Sequence, residues 1–185
     1  MLVTFEKHNA LLSGHFKLSS GLHSGQYLQC ALVLQHPDIA EKLAEEIAKK
    51  FKDDGADLVI GPALGGVTFA YEIARALGVR GLFTERQDGK MCVRRGFSIG
   101  KGEKAIVAED VITTGGSTKE VIDVVESFGA KVIGVASVID RSGGSAKFKV
   151  RFEPLAKIRV ETFEEKSCPL CKSGIPVTKP GSRGR

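Results

Sequence analysis

The sequence predicts an α/β protein built on an open, mostly parallel twisted sheet flanked by helices. Three observations predict it. Short apolar runs of strand length recur: "ADLVIGP", "VRGLFTE", "KAIVAED" and "AKVIGVASVID". Patterns of helical period, "VTFAYEIARALG" and "GSTKEVIDVVESFG", stand between them. Strand, helix, strand in that order needs right-handed crossovers that leave neighbouring strands parallel. In such sheets ligands sit beyond the C-terminal strand ends, and two of these strands run straight into glycine loops.

The remaining elements follow in order. Leu2 to Leu12 predicts a short helix with Leu2, Phe5 and Leu12 near one face. "GHFKLSSGLHSGQYLQCALVL" alternates apolar and polar residues around glycines, which predicts short strands and turns. "HPDIAEKLAEEIAKKFKDDG" predicts a helix with Pro37 in its first turn, Ile39, Leu43, Ile47 and Phe51 on one face, and Gly55 after its end. Residues 85–104, polar, basic and punctuated by glycine, predict a long loop or mobile hairpin. "AKIRVET" is a candidate last strand. The expected organisation is a small N-terminal subdomain (1–35), an α/β core (36–165) with a mobile lid (85–104), and an irregular basic tail (166–185).

Bulk properties bound the function. The 185 residues suffice for one domain with a substantial core. No apolar run approaches the ~20 residues of a membrane span. "MLVTFEKHNALLSGHF" lacks the basic, apolar and small-residue succession of a secretory signal, so a cytoplasmic protein is expected. Five of the 27 basic residues lie between Lys166 and Arg185, a stretch without an acid. The rest of the chain is therefore neutral, which argues against a nucleic-acid-binding body. Cys168 and Cys171, in "CPLC", have the spacing of a metal knuckle, but one pair supplies half of a four-ligand site. Two reduced thiols in a tail turn is the favoured reading, and a metal site completed across a dimer is the alternative.

The chemistry concentrates in "AEDVITTGGS". Thr113, Thr114, Gly115, Gly116 and Ser117 precede a helix, whose first amides and dipole favour an anion. Glu109 and Asp110 just before them would repel a bare phosphate. The pair makes sense if the ligand also carries hydroxyls or a Mg²⁺, as a sugar phosphate does. "GPALGG", Gly61 to Gly66, is a second candidate anion loop. Neither loop is a Walker A sequence, and no GxGxxG fingerprint occurs. Between Glu85 and Lys104 six basic residues face three acids, as in a cationic lid over a leaving group.

These stretches resemble the type I phosphoribosyltransferases, and among them the orotate-using branch. "IVAEDVITTGGS" is similar to the family's signature, and "GHFKLSSGLHSGQY", "GPALGGV", "TERQDGKMCVRRGF" and "VIDRSGG" follow its order from Gly14 to Gly144. The resemblance implies transfer of a phosphoribosyl group from phosphoribosyl pyrophosphate to orotate, with Mg²⁺. It implies that Glu109 and Asp110 bind the ribose hydroxyls and that Val111, Ile112, Thr113, Thr114, Gly115, Gly116 and Ser117 wrap the 5′-phosphate. Ala63, Leu64 and Gly65 would hold pyrophosphate, with a cis peptide at Ala63–Leu64. Thr113, Arg141, Tyr27 and Leu28 would contact orotate, Arg141 through its carboxylate. Arg86 and Lys90 would be catalytic in the lid, with Asp110, and would reach into the partner's site of a homodimer. No metal-binding side chains are implied, because Mg²⁺ is carried mainly by substrate.

The chain departs from the family pattern at Ser19, Gly65, Gln87 and Cys92, where three lysines and a histidine are usual. Lys17, Arg94 and Arg95 are the candidates to compensate. No general acid is assigned to His8, His15, His23 or His36. A phosphoribosyltransferase for another base and a non-catalytic nucleic-acid-binding regulator stay open as alternatives.

Overall fold

The computed structural model describes residues 2–18 and 21–179. In chain order the elements are α1 (Leu2–Lys7), β1 (Leu11–Lys17), β2 (His23–Leu28), α2 (Ala31–Leu34), α3 (Pro37–Phe51), β3 (Leu58–Pro62), α4 (Gly65–Leu77), β4 (Arg80–Gln87), β5 (Lys90–Val93), β6 (Lys104–Ile112), α5 (Gly116–Ser127), β7 (Lys131–Asp140), β8 (Phe152–Lys157) and β9 (Thr162–Phe163). A 3-10 turn (Glu165–Ser167) and α6 (Pro169–Lys172) follow. The chain divides into two compact units, Leu34–Ile158 and a smaller one of Met1–Val33 with Arg159–Arg185.

The larger unit holds a six-stranded sheet in the order β5-β4-β3-β6-β7-β8. All neighbours are parallel except the β4–β5 hairpin at one edge. From β3 the chain steps to β4 on one side and later to β6 on the other. The topological switch point therefore lies between β3 and β6. Leu58, Ile60, Ala105 and Val107 of these strands pack with Val121 and Val125 of α5. Val59 and Ile106 alternate to the opposite face and are equally buried. Burial on both faces explains why these strands read as unbroken apolar runs.

Several local expectations change. The first helix ends at Lys7, because Asn9 takes a left-handed conformation (φ 52°). The Ala10 amide then bonds back to the Phe5 carbonyl at 2.7 Å, closing the helix and freeing Leu11 and Leu12 for β1. On α3 the buried face is Ala40, Ala44, Ile47, Ala48 and Phe51, so small residues set a close approach. Residues 85–93 form a hairpin, turned by left-handed Asp88 and Gly89 (φ 50° and 80°). The last core strand is β8, earlier than "AKIRVET"; its Pro154 is tolerated at the sheet edge.

The smaller unit is a three-stranded sheet, β1-β2-β9. Residues 159–165, expected in the core, belong to this unit and supply β9 and the start of the 3-10 turn, and the tail expected to be irregular forms α6. The Thr178 amide bonds to the His15 carbonyl, and the Lys17 amide to the Thr178 carbonyl, both at 2.8 Å. The tail thus satisfies edge groups of β1 that would otherwise be open.

Glycines fix the two loops at the switch point against each other. A Cβ at Gly61 would lie 2.5 Å from the Gly66 carbonyl oxygen and 2.8 Å from that of Ala108. A Cβ at Gly66 would lie 2.9 Å from the same Ala108 oxygen. Gly61→Ala is expected to cost about 1–3 kcal/mol of stability through overpacking. Urea unfolding with an unchanged midpoint would contradict this packing.

Candidate functional site

The site is built at the C-terminal ends of β3, β6 and β7. Glu109 is the last residue but three of β6 and is 8% exposed, while Asp110 is half-buried. Glu109 Oε1 accepts from the Asp110 amide at 3.3 Å, and Asp110 Oδ1 accepts from the Val111 amide at 2.8 Å. Both carboxylates border the β3–α4 loop: a Cβ at Gly65 would sit 2.6 Å from Asp110 Oδ1, and one at Gly66 3.2 Å from Glu109 Oε1. Burial, and then the charge of Asp110, push the Glu109 carboxyl well above its ordinary value of 4.5. A buried acid beside a half-buried one is a place for hydroxyl donors or a cation.

The β6–α5 connection forms a small cleft of about 60 Å³, lined by Glu109 and residues 111–118. Ile112 is buried and anchors it, while Thr113, Thr114, Gly116 and Ser117 face solvent. Gly115 is left-handed (φ 76°), and a Cβ there would come within 3.1 Å of Phe148. No other residue fits that position without strain. The first turn of α5 carries no acid, so its amides and dipole present positive charge. The β3–α4 loop repeats this design. Its Ala63–Leu64 peptide is cis, Ala63, Leu64 and Gly65 are exposed, and the first turn of α4 is free of acids.

Arg141 follows β7, and its amide bonds to the Ile112 carbonyl at 2.8 Å. The Ser142 amide bonds to Asp140 Oδ1 at 2.8 Å and shapes the turn behind it. Thus Glu109, Asp110, the 111–117 loop, residues 63–65 and Arg141 meet at neighbouring strand ends. Arg86 and Lys90 lie on the edge hairpin instead. Arg86 pairs with Glu120 of α5 at 2.8 Å and donates to the Gly89 carbonyl. Lys90 is exposed. Tyr27 and Leu28 lie on β2 in the smaller unit, where the Tyr27 hydroxyl donates to Gln29 Oε1 at 3.2 Å.

The departures have physical explanations where they are described. Gly65 cannot be a lysine without displacing Asp110, whose carboxylate occupies the space of a Cβ. The Cys92 thiol donates to the Glu85 carbonyl at 3.4 Å. Gln87 closes the β4 side of the hairpin turn, and Ser19 lies outside the described residues. The three expected compensating cations are all engaged by acids: Lys17 by Glu165 at 3.1 Å, Arg95 by Glu85 at 3.0 Å, and Arg94 by Glu85 at 3.7 Å. Sequence reasoning missed the role of Gly61 and Gly66 in loop-to-strand packing, since a glycine after a strand reads first as a turn.

A parallel sheet with two acid-free helix N-termini and a carboxylate pair at its switch point defines a phosphoribosyl-transfer domain. A family model described as "phosphoribosyl transferase domain" matches residues 31–154. The chain is 57% identical over 181 residues to an orotate phosphoribosyltransferase of Carboxydothermus hydrogenoformans, covering 97% of this chain and 95% of that one. It is 56% identical to that of Desulforamulus reducens, covering 97% and 94%. A crystal structure of orotate phosphoribosyltransferase from Aeropyrum pernix superposes with a TM-score of 0.72 at 29% identity, covering 85% of this chain and 94% of that one. The chain belongs to the orotate phosphoribosyltransferase family.

The raised Glu109 carboxyl makes a signed prediction. The folded chain holds that proton more tightly than the unfolded chain. This favours folding below the ordinary value of 4.5 and is lost as pH rises through the raised value. Glu109→Gln should therefore raise the melting temperature of ligand-free protein more at pH ~8 than at pH ~5. Equal effects at both would contradict the assignment.

Proposed function

We propose that the chain transfers the 5-phosphoribosyl group from phosphoribosyl pyrophosphate to orotate, forming orotidine 5′-monophosphate and pyrophosphate for pyrimidine nucleotide synthesis. The observation that carries this reading is the Glu109–Asp110 pair beside an acid-free helix N-terminus at the switch point. Amides and hydroxyls of residues 111–117 take the 5′-phosphate. The ribose diol donates to Glu109 and Asp110, replacing the water that burial removes. Ala63, Leu64 and Gly65 offer amides to pyrophosphate. Arg141 pairs with the orotate carboxylate, and Thr113 flanks the base. The roles of Tyr27 and Leu28 rest on the resemblance alone.

The reaction makes one carbon–nitrogen bond and breaks one carbon–oxygen and one nitrogen–hydrogen bond. An orotate ring nitrogen bonds to the anomeric carbon and loses its proton to solvent. The bond from that carbon to pyrophosphate breaks, and its electrons leave with pyrophosphate. Positive charge grows on the ribose meanwhile, and the Asp110 carboxylate favours it. Holding both substrates in line lowers the entropic part of the barrier. Lys90 stabilises the departing charge, as does Arg86 once it exchanges Glu120 for pyrophosphate. Hard carboxylate oxygens at Asp110 and Glu109 fit Mg²⁺ or its waters, which supplies positive charge to the pyrophosphate when bound. We assign the working form to a homodimer in which the hairpin serves the partner's site. Tyr71 on α4, exposed at 60%, is a candidate residue of the contact surface.

Purified protein given phosphoribosyl pyrophosphate and Mg²⁺ should release pyrophosphate with orotate, and not with uracil, hypoxanthine or adenine. No release with orotate would overturn the proposal. Asp110→Asn should lower kcat by about 10² or more with the circular dichroism unchanged. Arg141→Ala should raise the KM for orotate by about ten- to a hundredfold while sparing that for phosphoribosyl pyrophosphate. An unchanged orotate KM would remove Arg141 from the base site.

A further inference from the structure

The smaller unit carries a side-chain cluster that the transfer reaction does not use. His15 on β1 and His23 at the start of β2 meet across the hairpin, and Cys168 and Cys171 bracket the first turn of α6. One donor atom from each lies within 4.8 Å of the other three. His15 Nε2 is 2.8 Å from His23 Nδ1 and 3.6 Å from Cys168 Sγ. Cys171 Sγ is 3.7 Å from His15 Nε2 and 3.3 Å from His23 Nδ1. A tetrahedral zinc with bonds of about 2.0–2.1 Å to nitrogen and about 2.3 Å to sulfur spaces its ligands by roughly 3.4 Å (N to N) and 3.6 Å (N to S). The three nitrogen-to-sulfur separations of 3.3, 3.6 and 3.7 Å match that spacing closely, and the two nitrogens, at 2.8 Å, need to part by only about 0.6 Å.

We propose that His15, His23, Cys168 and Cys171 bind a structural Zn²⁺. The surroundings support it independently of spacing. His15, His23 and Cys168 are almost fully buried, at 3%, 1% and 0% exposure. His15 Nδ1 bonds to the Ile175 carbonyl at 2.7 Å, which places the proton there and leaves the Nε2 lone pair facing the cluster. His23 aims Nδ1 into the cluster, while its buried Nε2 has no hydrogen-bond partner among the described residues and lies 3.9 Å from Glu165. Two imidazoles and the Cys168 thiol brought together out of water are costly to bury without an ion to join them.

The donor set selects the metal. Two sulfurs and two imidazole nitrogens suit tetrahedral zinc, whereas Mg²⁺ prefers oxygen. All four positions belong to the protein, so the site is closed and structural. The thiols bind as thiolates and give their protons to solvent. Half-buried Cys171 provides the entry side. The second half of the "CPLC" knuckle thus comes from the same chain and not from a dimer partner. Its consequence is mechanical: the ion ties the β1–β2 hairpin to a tail that follows it by some 150 residues of sequence. A small sheet of three short strands gains much from such a staple.

The full chain, purified without chelator, should contain about one zinc per chain by elemental mass spectrometry. Cys168→Ser should lose that zinc, and Cys92→Ser should keep it. Should Cys168→Ser fail to fold, wild-type protein still decides. Chelator-treated wild type should melt at a lower temperature, recover on adding Zn²⁺, and give thiolate-to-metal charge transfer with intense tetrahedral visible bands on adding Co²⁺. Metal-free protein whose melting is indifferent to Zn²⁺ and chelator would overturn the proposal. So would a Cys168–Cys171 disulfide in freshly purified protein.

Discussion

The molecule depends on one close contact, that of the β3–α4 loop against the end of β6. Gly61 and Gly66 let backbone meet the Ala108 carbonyl, and Gly65 lets it meet the Asp110 carboxylate. Because side chains are absent there, two loops from neighbouring strands share one small region. Each ends at a helix N-terminus without acids. The strand order places this contact at the switch point, where the crossovers diverge and leave a crevice. A wider separation would leave two separate loops and not one continuous region.

The Glu109 carboxylate is held in an unfavourable place. Glu109 is buried beside Asp110, and its carboxyl is pushed up by that burial and that charge. The fold tolerates this because β3, β6 and β7 are buried on both faces and hold the strand ends in place. On the proposed reading, ligand hydroxyls would relieve a cost already present, which would favour a sugar phosphate over inorganic phosphate. The same argument explains the missing lysine at Gly65. A cation on a side chain there would displace the carboxylate it was meant to accompany.

Legibility followed sequence locality. Both loops and their flanking strands and helices were readable because each is one contiguous run of strand, small residues and helix period. The start of α3 was readable from Pro37. The end of α1 was not, since it turns on the left-handed Asn9, a conformation that asparagine adopts only in context. The last core strand begins earlier than "AKIRVET" and contains Pro154, which a strand accommodates at an edge, and edge position is a tertiary fact. That Glu109 and Asp110 end a strand and that residues 113–117 lead into a helix was legible, while the pairing of Arg86 with Glu120 was not. His15 and His23 read as isolated histidines, and only the fold sets them beside Cys168 and Cys171.

The central claim is that Glu109 and Asp110 recognise a diol whose phosphate lies on the neighbouring amides. Calorimetric titration of the wild-type protein with ribose 5-phosphate and with 2-deoxyribose 5-phosphate tests it most directly. The account predicts that loss of the 2-hydroxyl weakens binding about tenfold or more, the equivalent of one hydrogen bond to a charged group. Equal affinities for the two sugars would contradict it.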